Sequence, residues 1–249
     1  MWSRSPPIST PAISKRGLIR TDWIDRFPNR SLPYFSTVVF VVRKGNPKGI
    51  KDWPDLVQPG IAIITPNPKT SGNGYLSFFS AWGSVVLRGG SRQQAVDYVT
   101  KLYQQVPVLD SGARAATTTF VQKGIGDVHL AWENEAQLEV REAKGTLELV
   151  YPPISIRAEP HVAVVDDNVD RNGTRAAAEA YLQFLYSPEG QDVAARNHYR
   201  PRNPEIAKKY EGEFAKVSLF TIDEVFGGWK KAQAAHFNDD GMFDQIYTQ

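Results

Sequence analysis

Eight residues, Asn67-Pro68-Lys69-Thr70-Ser71-Gly72-Asn73-Gly74, lie between a short apolar run and a helical pattern. Pro66 and Pro68 together with Gly72 and Gly74 impose an unusual turn, and Thr70 and Ser71 supply hydroxyls. The helix that follows leaves its first backbone N–H groups without intrahelical acceptors. Such a turn can cradle an anion. The same residues also make an ordinary N-cap and loop, because Ser and Thr are favoured caps, and spacing alone does not separate the two. A second stretch, Asp110-Ser111-Gly112-Ala113-Arg114-Ala115-Ala116-Thr117, again follows a strand pattern and opens a short helix ending near Gly124. Two helix N-termini preceded by small residues can converge on one tetrahedral oxyanion in a cleft between lobes. Neither stretch contains GxxxxGK[ST], so a nucleotide is not the expected ligand. Gly89-Gly90-Ser91 reads as a turn and an N-cap only.

Other chemistries find no constellation. The four histidines, His129, His161, His198 and His236, share no metal-ligand spacing, so no metal is expected. GxSxG and SxxK nucleophile motifs do not occur, and Glu133 and Glu135 read as surface or gating charges alternating on a strand. The expectation is a protein that is not an enzyme and holds no cofactor. With no cysteine, disulfides, thiolate catalysis, iron–sulfur clusters and Cys-ligated zinc all fall away. A formal charge of +2, from 29 basic and 27 acidic side chains, gives no field for a polyanion, so nucleic acid is not an expected partner. The longest apolar runs, Thr37 to Val42 and Ile61 to Ile64, are far shorter than the roughly 20 residues that span a bilayer. A soluble protein is expected.

The elements that must position the two turns follow from periodicity. Ser36 to Val42 is β-branched and aromatic and closes on Arg43-Lys44-Gly45-Asn46-Pro47, which predicts a buried strand entering a turn. Ile61 to Ile64, Val106 to Leu109, Val128 to Trp132, Leu147 to Tyr151 and His161 to Val165 are further strand candidates. Tyr75 to Leu87, Arg92 to Tyr103 and Arg175 to Leu185 carry helical spacing, and Ser187-Pro188-Glu189 reads as the start of another helix. Strands alternating with helices predict an α/β protein with largely parallel sheets. A chain of 249 residues with 41% hydrophobic content makes one large domain or two lobes.

With these residues in place, the chain resembles the periplasmic sulfate-binding (sulfate/thiosulfate-binding) proteins that feed ABC importers. The words that carry the resemblance are VRKGNPKGIKDWPDLV from Val42 to Val57, ITPNPKTSG from Ile64 to Gly72, and VLDSGARAATTTFVQKGIGDVHLAWENEA from Val108 to Ala136. SPEGQDVAARNHYRPRNP from Ser187 to Pro204 extends it toward the C-terminus. The resemblance implies a type II periplasmic-binding fold, α/β, with two lobes joined at a hinge and the first lobe incomplete. Residues 1–41 are then a foreign tail plus a remnant of lobe I, 42–155 form lobe II, and 156–249 are a helical part returning to lobe I.

In that family a dehydrated sulfate is held by uncharged donors. Carried over by position, these are Ser71, Gly72 and Asn73 from the first turn, Ala113 from the second, and Trp132 through Nε1. The implied function is binding of sulfate or thiosulfate for delivery to the permease subunits of an ABC importer, by a monomer. The alternatives are a truncated remnant that binds nothing, and a binder of another tetraoxyanion. Three departures bear on this. The turn continues Asn73-Gly74-Tyr75 where the family has a small residue, Ala and Arg, so its shape is open. The family's first strands and its Gly-Gly-Ser-Gly loop are unmatched, and Met1 to Pro11 is foreign in composition. The family is periplasmic, whereas the chain as written shows no export signal and by itself is expected to stay in the cytoplasm.

Overall fold

The computed structural model describes residues 16–239 and 241–247, so the foreign stretch expected from Met1 to Pro11 lies outside the described residues. The chain divides into two compact units, one of residues 1–36 and 159–214, the other of residues 37–158 and 215–249. It passes from one unit to the other three times, after Ser36, Ala158 and Phe214.

Eight strands occur among the described residues: β1 (Tyr34–Arg43), β2 (Ile63–Pro66), β3 (Leu109–Asp110), β4 (Val128–Trp132), β5 (Leu147–Val150), β6 (Ile154–Ala158), β7 (Arg200–Pro201) and β8 (Ser218–Phe220). In the second unit they run in the order β3-β2-β4-β1-β6-β8, with β5 also on β1. The sheet is mixed. Pairs β2/β3, β2/β4 and β6/β8 are parallel, but β1 lies antiparallel to β4 and to β5. The expected largely parallel sheet is thereby corrected at its centre. Val38 to Val42 are at most 1% exposed, so β1 is covered on both faces, and this is why its sequence is a continuous apolar run rather than an alternating one. Trp53 packs edge-on against Phe40 of β1 and donates its Nε1 to the Ile154 carbonyl at 2.6 Å.

Four helices follow the strands of this unit: α1 (Gly72–Val86), α2 (Arg92–Gln104), α3 (Ala113–Thr117) and α4 (Glu133–Glu142). The helix α1 starts three residues before the periodicity suggested, because the Ser71 hydroxyl caps it. Ser91 and Gln94 form a reciprocal capping box at the start of α2, as the Gly-Gly-Ser turn predicted. The helix α3 runs on through a wider turn, Thr118–Gln122, and the left-handed Gly124 follows. Glu133 and Glu135 correct the strand expectation. The strand ends at Trp132, both carboxylates sit in the first turn of α4 where they favour the helix N-terminus, and Glu133 is fully buried.

The first unit holds β7, paired with the start of β1 through Tyr34 and Pro201, and its described helices include α5 (Asp166–Arg171), α6 (Arg175–Phe184), α7 (Pro188–Arg196) and α8 (Pro204–Lys209). The Ser187 hydroxyl accepts from the Gly190 N–H at 3.0 Å and Pro188 takes the first helical position, as expected. Asp166 receives the guanidinium groups of Arg26 at 3.0 Å and Arg175 at 2.7 Å. His161 to Val165 is not a strand. Val164 packs with Phe27, Val169 and Leu182, so its apolar pattern records burial in that cluster and not ladder pairing. A cavity of about 430 Å³ opens beside this cluster, lined largely by apolar side chains such as Val165, Ala178 and Leu182.

The last three helices, α9 (Ile222–Phe226), α10 (Trp229–His236) and α11 (Met242–Ile246), belong to the second unit. The resemblance implies that residues 156–249 return to lobe I. These three helices lie instead over α1 and α2, with Tyr75 stacked on Trp229 at 5.5 Å, Phe78 against Phe237 at 4.9 Å and Tyr103 against Phe243 at 5.1 Å. The aromatic face of α1, with Tyr75, Phe78, Phe79 and Trp82, receives this aromatic segment.

Candidate functional site

Three adjacent strands, β3, β2 and β4, run parallel, so their carboxyl ends share one edge of the sheet. In such sheets the loops at that edge are where ligands bind. Each strand leads into a helix whose N-terminus therefore opens at the same edge: β2 into α1, β3 into α3, and β4 into α4. All five residues singled out in the sequence are found here, within the second unit. Ser71, Gly72 and Asn73 begin α1, Ala113 begins α3, and Trp132 is the last residue of β4.

The register brings the pieces level. Thr65 and Pro66 pair with Leu109 and Asp110, and the ladder continues with the Asn67 N–H donating to the Asp110 carbonyl at 2.7 Å. The Thr70 hydroxyl then donates to the Ser111 carbonyl at 2.8 Å, fastening the first turn to the second. On the other side Ile63 and Ile64 pair with Val128 and His129, and Trp132 follows three residues on at the carboxyl end of β4. In the sequence Thr70 offers only a hydroxyl. Its role as the stitch between the turns depends on a strand pairing that no local pattern announces.

The turn itself is fixed by short-range bonds. The Asn67 carbonyl accepts from Ser71 N–H at 2.9 Å and its side-chain oxygen from Lys69 N–H at 2.8 Å. Ser71 is 9% exposed, and its hydroxyl oxygen takes the Gly74 N–H at 3.5 Å. That leaves the backbone N–H groups of Gly72 and Asn73 without an acceptor among the described residues, and at α3 the N–H of Ala113 is likewise unaccepted. Lys69 reaches both carboxylate oxygens of Asp244 at 2.6 and 2.7 Å, an exposed brace from α11 to the turn.

Gly74 resolves the shape that the sequence left open. A Cβ there would lie 2.2 Å from the Pro66 carbonyl oxygen and 2.8 Å from the Asn67 carbonyl carbon, so α1 meets the end of β2 at a distance only glycine permits. Tyr75 occupies an aromatic site rather than a charged one, 1% exposed and against Phe79, Trp229 and Phe237. Burial holds its hydroxyl pKa above the usual phenol range.

Several buried polar atoms at this edge have no partner among the described residues, Thr65 Oγ1 among them. Trp132 Nε1 is a donor that can give only one hydrogen bond and gives none. Asp110 Oδ2, at the end of β3, is an acceptor in the same condition. A buried group left unpaired costs about 1–3 kcal/mol, so each marks a place where a ligand can be repaid with a bond. Free N–H groups on two helix ends and an idle indole N–H on one sheet edge offer hydrogen-bond donors and partial positive charge, suited to a compact oxyanion.

A model of the bacterial extracellular solute-binding protein family matches residues 8–200. A sulfate-binding protein of Escherichia coli K12 is 57% identical over 237 residues, covering 94% of this chain and 72% of its own. A thiosulfate-binding protein of Pseudomonas aeruginosa is 54% identical over 233 residues, covering 93% of this chain and 70% of its own. Among solved structures, a sulfate-binding protein from Mycobacterium tuberculosis H37Rv superposes with a TM-score of 0.85 at 33% identity, over 93% of this chain and 78% of that one.

Proposed function

The chain belongs to the bacterial extracellular solute-binding protein family, and from that premise we propose that it binds sulfate or thiosulfate for delivery to an ABC importer. The observation that carries the ligand is the buried, unpartnered Trp132 Nε1 on the sheet edge that also presents the N-termini of α1 and α3. In this reading Ser71, Gly72, Asn73, Ala113 and Trp132 donate to the anion. Sulfate at neutral pH only accepts hydrogen bonds, so a cluster of donors satisfies it completely. Helix N-termini stabilise its charge without a counter-ion that would slow release. The role is binding and transfer, not catalysis, and its place on this reading is the periplasm, with the permease subunits as partners.

A second reading, a binder of another tetraoxyanion such as phosphate, draws support from Asp110 Oδ2. A carboxylate oxygen on the same edge can accept a proton that hydrogen phosphate carries and sulfate lacks. Thermal unfolding of the 249-residue chain in chloride buffer, alone and with sulfate, thiosulfate or phosphate, separates the two. Ligand at a hundredfold excess over its dissociation constant stabilises the native state by about 2.7 kcal/mol. The proposal expects that rise with sulfate or thiosulfate and none with phosphate; a rise with phosphate alone supports the second reading, and no rise with any of them defeats both.

A further inference from the structure

The half-buried Thr117 and the buried His129 and Glu139 form a polar triad on α3, β4 and α4. The Thr117 hydroxyl donates to Glu139 Oε1 at 2.6 Å, and His129 Nδ1 meets Glu139 Oε2 at 3.0 Å. His129 is 1% exposed and Glu139 5% exposed. Phe120 lies against the imidazole at 5.6 Å between ring centres, and the Arg43 guanidinium covers that phenyl ring at 3.9 Å while donating to the Phe120 and Gly126 carbonyls. A carboxylate so enclosed is costly to keep and is strongly destabilising when its partners are removed. The two side-chain bonds of Glu139 go to Thr117 and His129 and to none of the five candidate donors.

Two of its members sit on elements that carry a candidate donor, α3 and β4, and the third sits on α4, which follows β4 directly. Thr117 is one turn after Ala113 on α3, His129 is three residues before Trp132 on β4, and Glu139 is on α4, which starts immediately after Trp132. Neither α3 nor the end of β4 is fixed to the other by a strand ladder, because β2 stands between β3 and β4. We propose that Glu139 is a positioning residue for the anion site, tying the α3 backbone donor at Ala113 and the β4 indole donor at Trp132 into one spacing through Thr117 and His129. This rests on the sulfate reading given above. One carboxylate with two directed bonds holds the two donors at a separation that a close-fitting anion reads as affinity.

The test uses the full chain, sulfate titration calorimetry, and two NMR resonances, the Ala113 amide and the Trp132 indole Nε1–H, the latter assigned by its loss in Trp132→Phe. Glu139→Leu cuts both ties, and sulfate affinity is expected to fall about tenfold with both resonances displaced in the ligand-free protein. Glu139→Gln keeps an acceptor for Thr117 and an amide facing His129, and is expected to recover affinity to within about threefold of the wild type. Thr117→Val, which leaves every charge in place should Glu139→Leu fail to fold, is expected to move the Ala113 resonance and leave the Trp132 resonance still. Leu56→Ala, a core truncation in the same unit, lowers the melting temperature without moving either resonance. Unchanged affinity and unmoved resonances in Glu139→Leu and Thr117→Val overturn the inference. A wild type that ignores sulfate overturns the functional reading instead, and the ligand-free resonances then decide the coupling by themselves.

Discussion

Replacing Trp132 by Phe keeps an aromatic ring at the end of β4 and deletes a single donor. The structure makes the two consequences opposite in sign. In the ligand-free protein Nε1 is buried and unpaired, a condition that costs about 1–3 kcal/mol, so its deletion relieves strain and offsets the packing lost with the smaller ring. On the proposed function the same N–H donates to the bound anion, and a hydrogen bond to a charged acceptor is worth about 1.5–3 kcal/mol. At about 1.4 kcal/mol per factor of ten, sulfate should bind some 10- to 150-fold more weakly to Trp132→Phe. The melting temperature without ligand should stay within a few degrees of the wild type. Titration calorimetry gives the affinity and differential scanning calorimetry the stability. A variant that binds sulfate within twofold of the wild type refutes the reasoning, because the idle indole would then not face the anion.

Three further outcomes follow from the same geometry. Gly74→Ala forces a methyl to 2.2 Å from the Pro66 carbonyl oxygen, and urea unfolding should show a loss of about 1–3 kcal/mol together with weaker sulfate binding; an unchanged urea midpoint contradicts the close approach. His236 is buried among Phe78, Phe79 and Trp82, and burial, with repulsion from Arg92, pushes its pKa down to about 4 from 6.5. The folded state thus holds fewer protons than the unfolded one, so the stabilisation is whole above about pH 6.5 and is lost as pH falls toward 4, by at most about 3 kcal/mol. His236→Phe should flatten that decline in urea midpoints between pH 7 and 4.5, and an equally steep decline in the variant assigns it to other groups. In limited proteolysis the first cuts should fall within residues 159–214, beside the apolar cavity, while residues 37–158 resist; early cleavage between Ile63 and Trp132 runs against this.

Local turns are more legible in this sequence than the order and direction of the strands. Turn residues announce themselves locally: Ser71 and Ser187 cap the helices that their positions foretold, and Asn67 and Pro68 shape a turn through bonds spanning four residues. Strand pairing does not, because a ladder is a non-local choice. Val38 to Val42 read as a strand, yet nothing in those residues says that β1 runs antiparallel to β4 and β5. Ile154–Ala158 alternates in a strand's manner but stands directly after Pro152-Pro153, which reads as loop, and was not anticipated. His161 to Val165 misled in the other direction, since an apolar run records burial of any kind. Glu139 left no signal at all. A glutamate on an amphipathic helix looks solvated until the helix is docked and Thr117 and His129 are seen to enclose it.

The most direct test of the central claim is a calorimetric titration of the wild-type chain with sulfate, repeated with phosphate and repeated again in Asp110→Asn. The account predicts one sulfate per chain, no heat from phosphate, and sulfate binding that survives Asp110→Asn. Phosphate binding that is lost in Asp110→Asn, with no response to sulfate, would show that the edge of β3, β2 and β4 receives a protonated anion and would contradict the account.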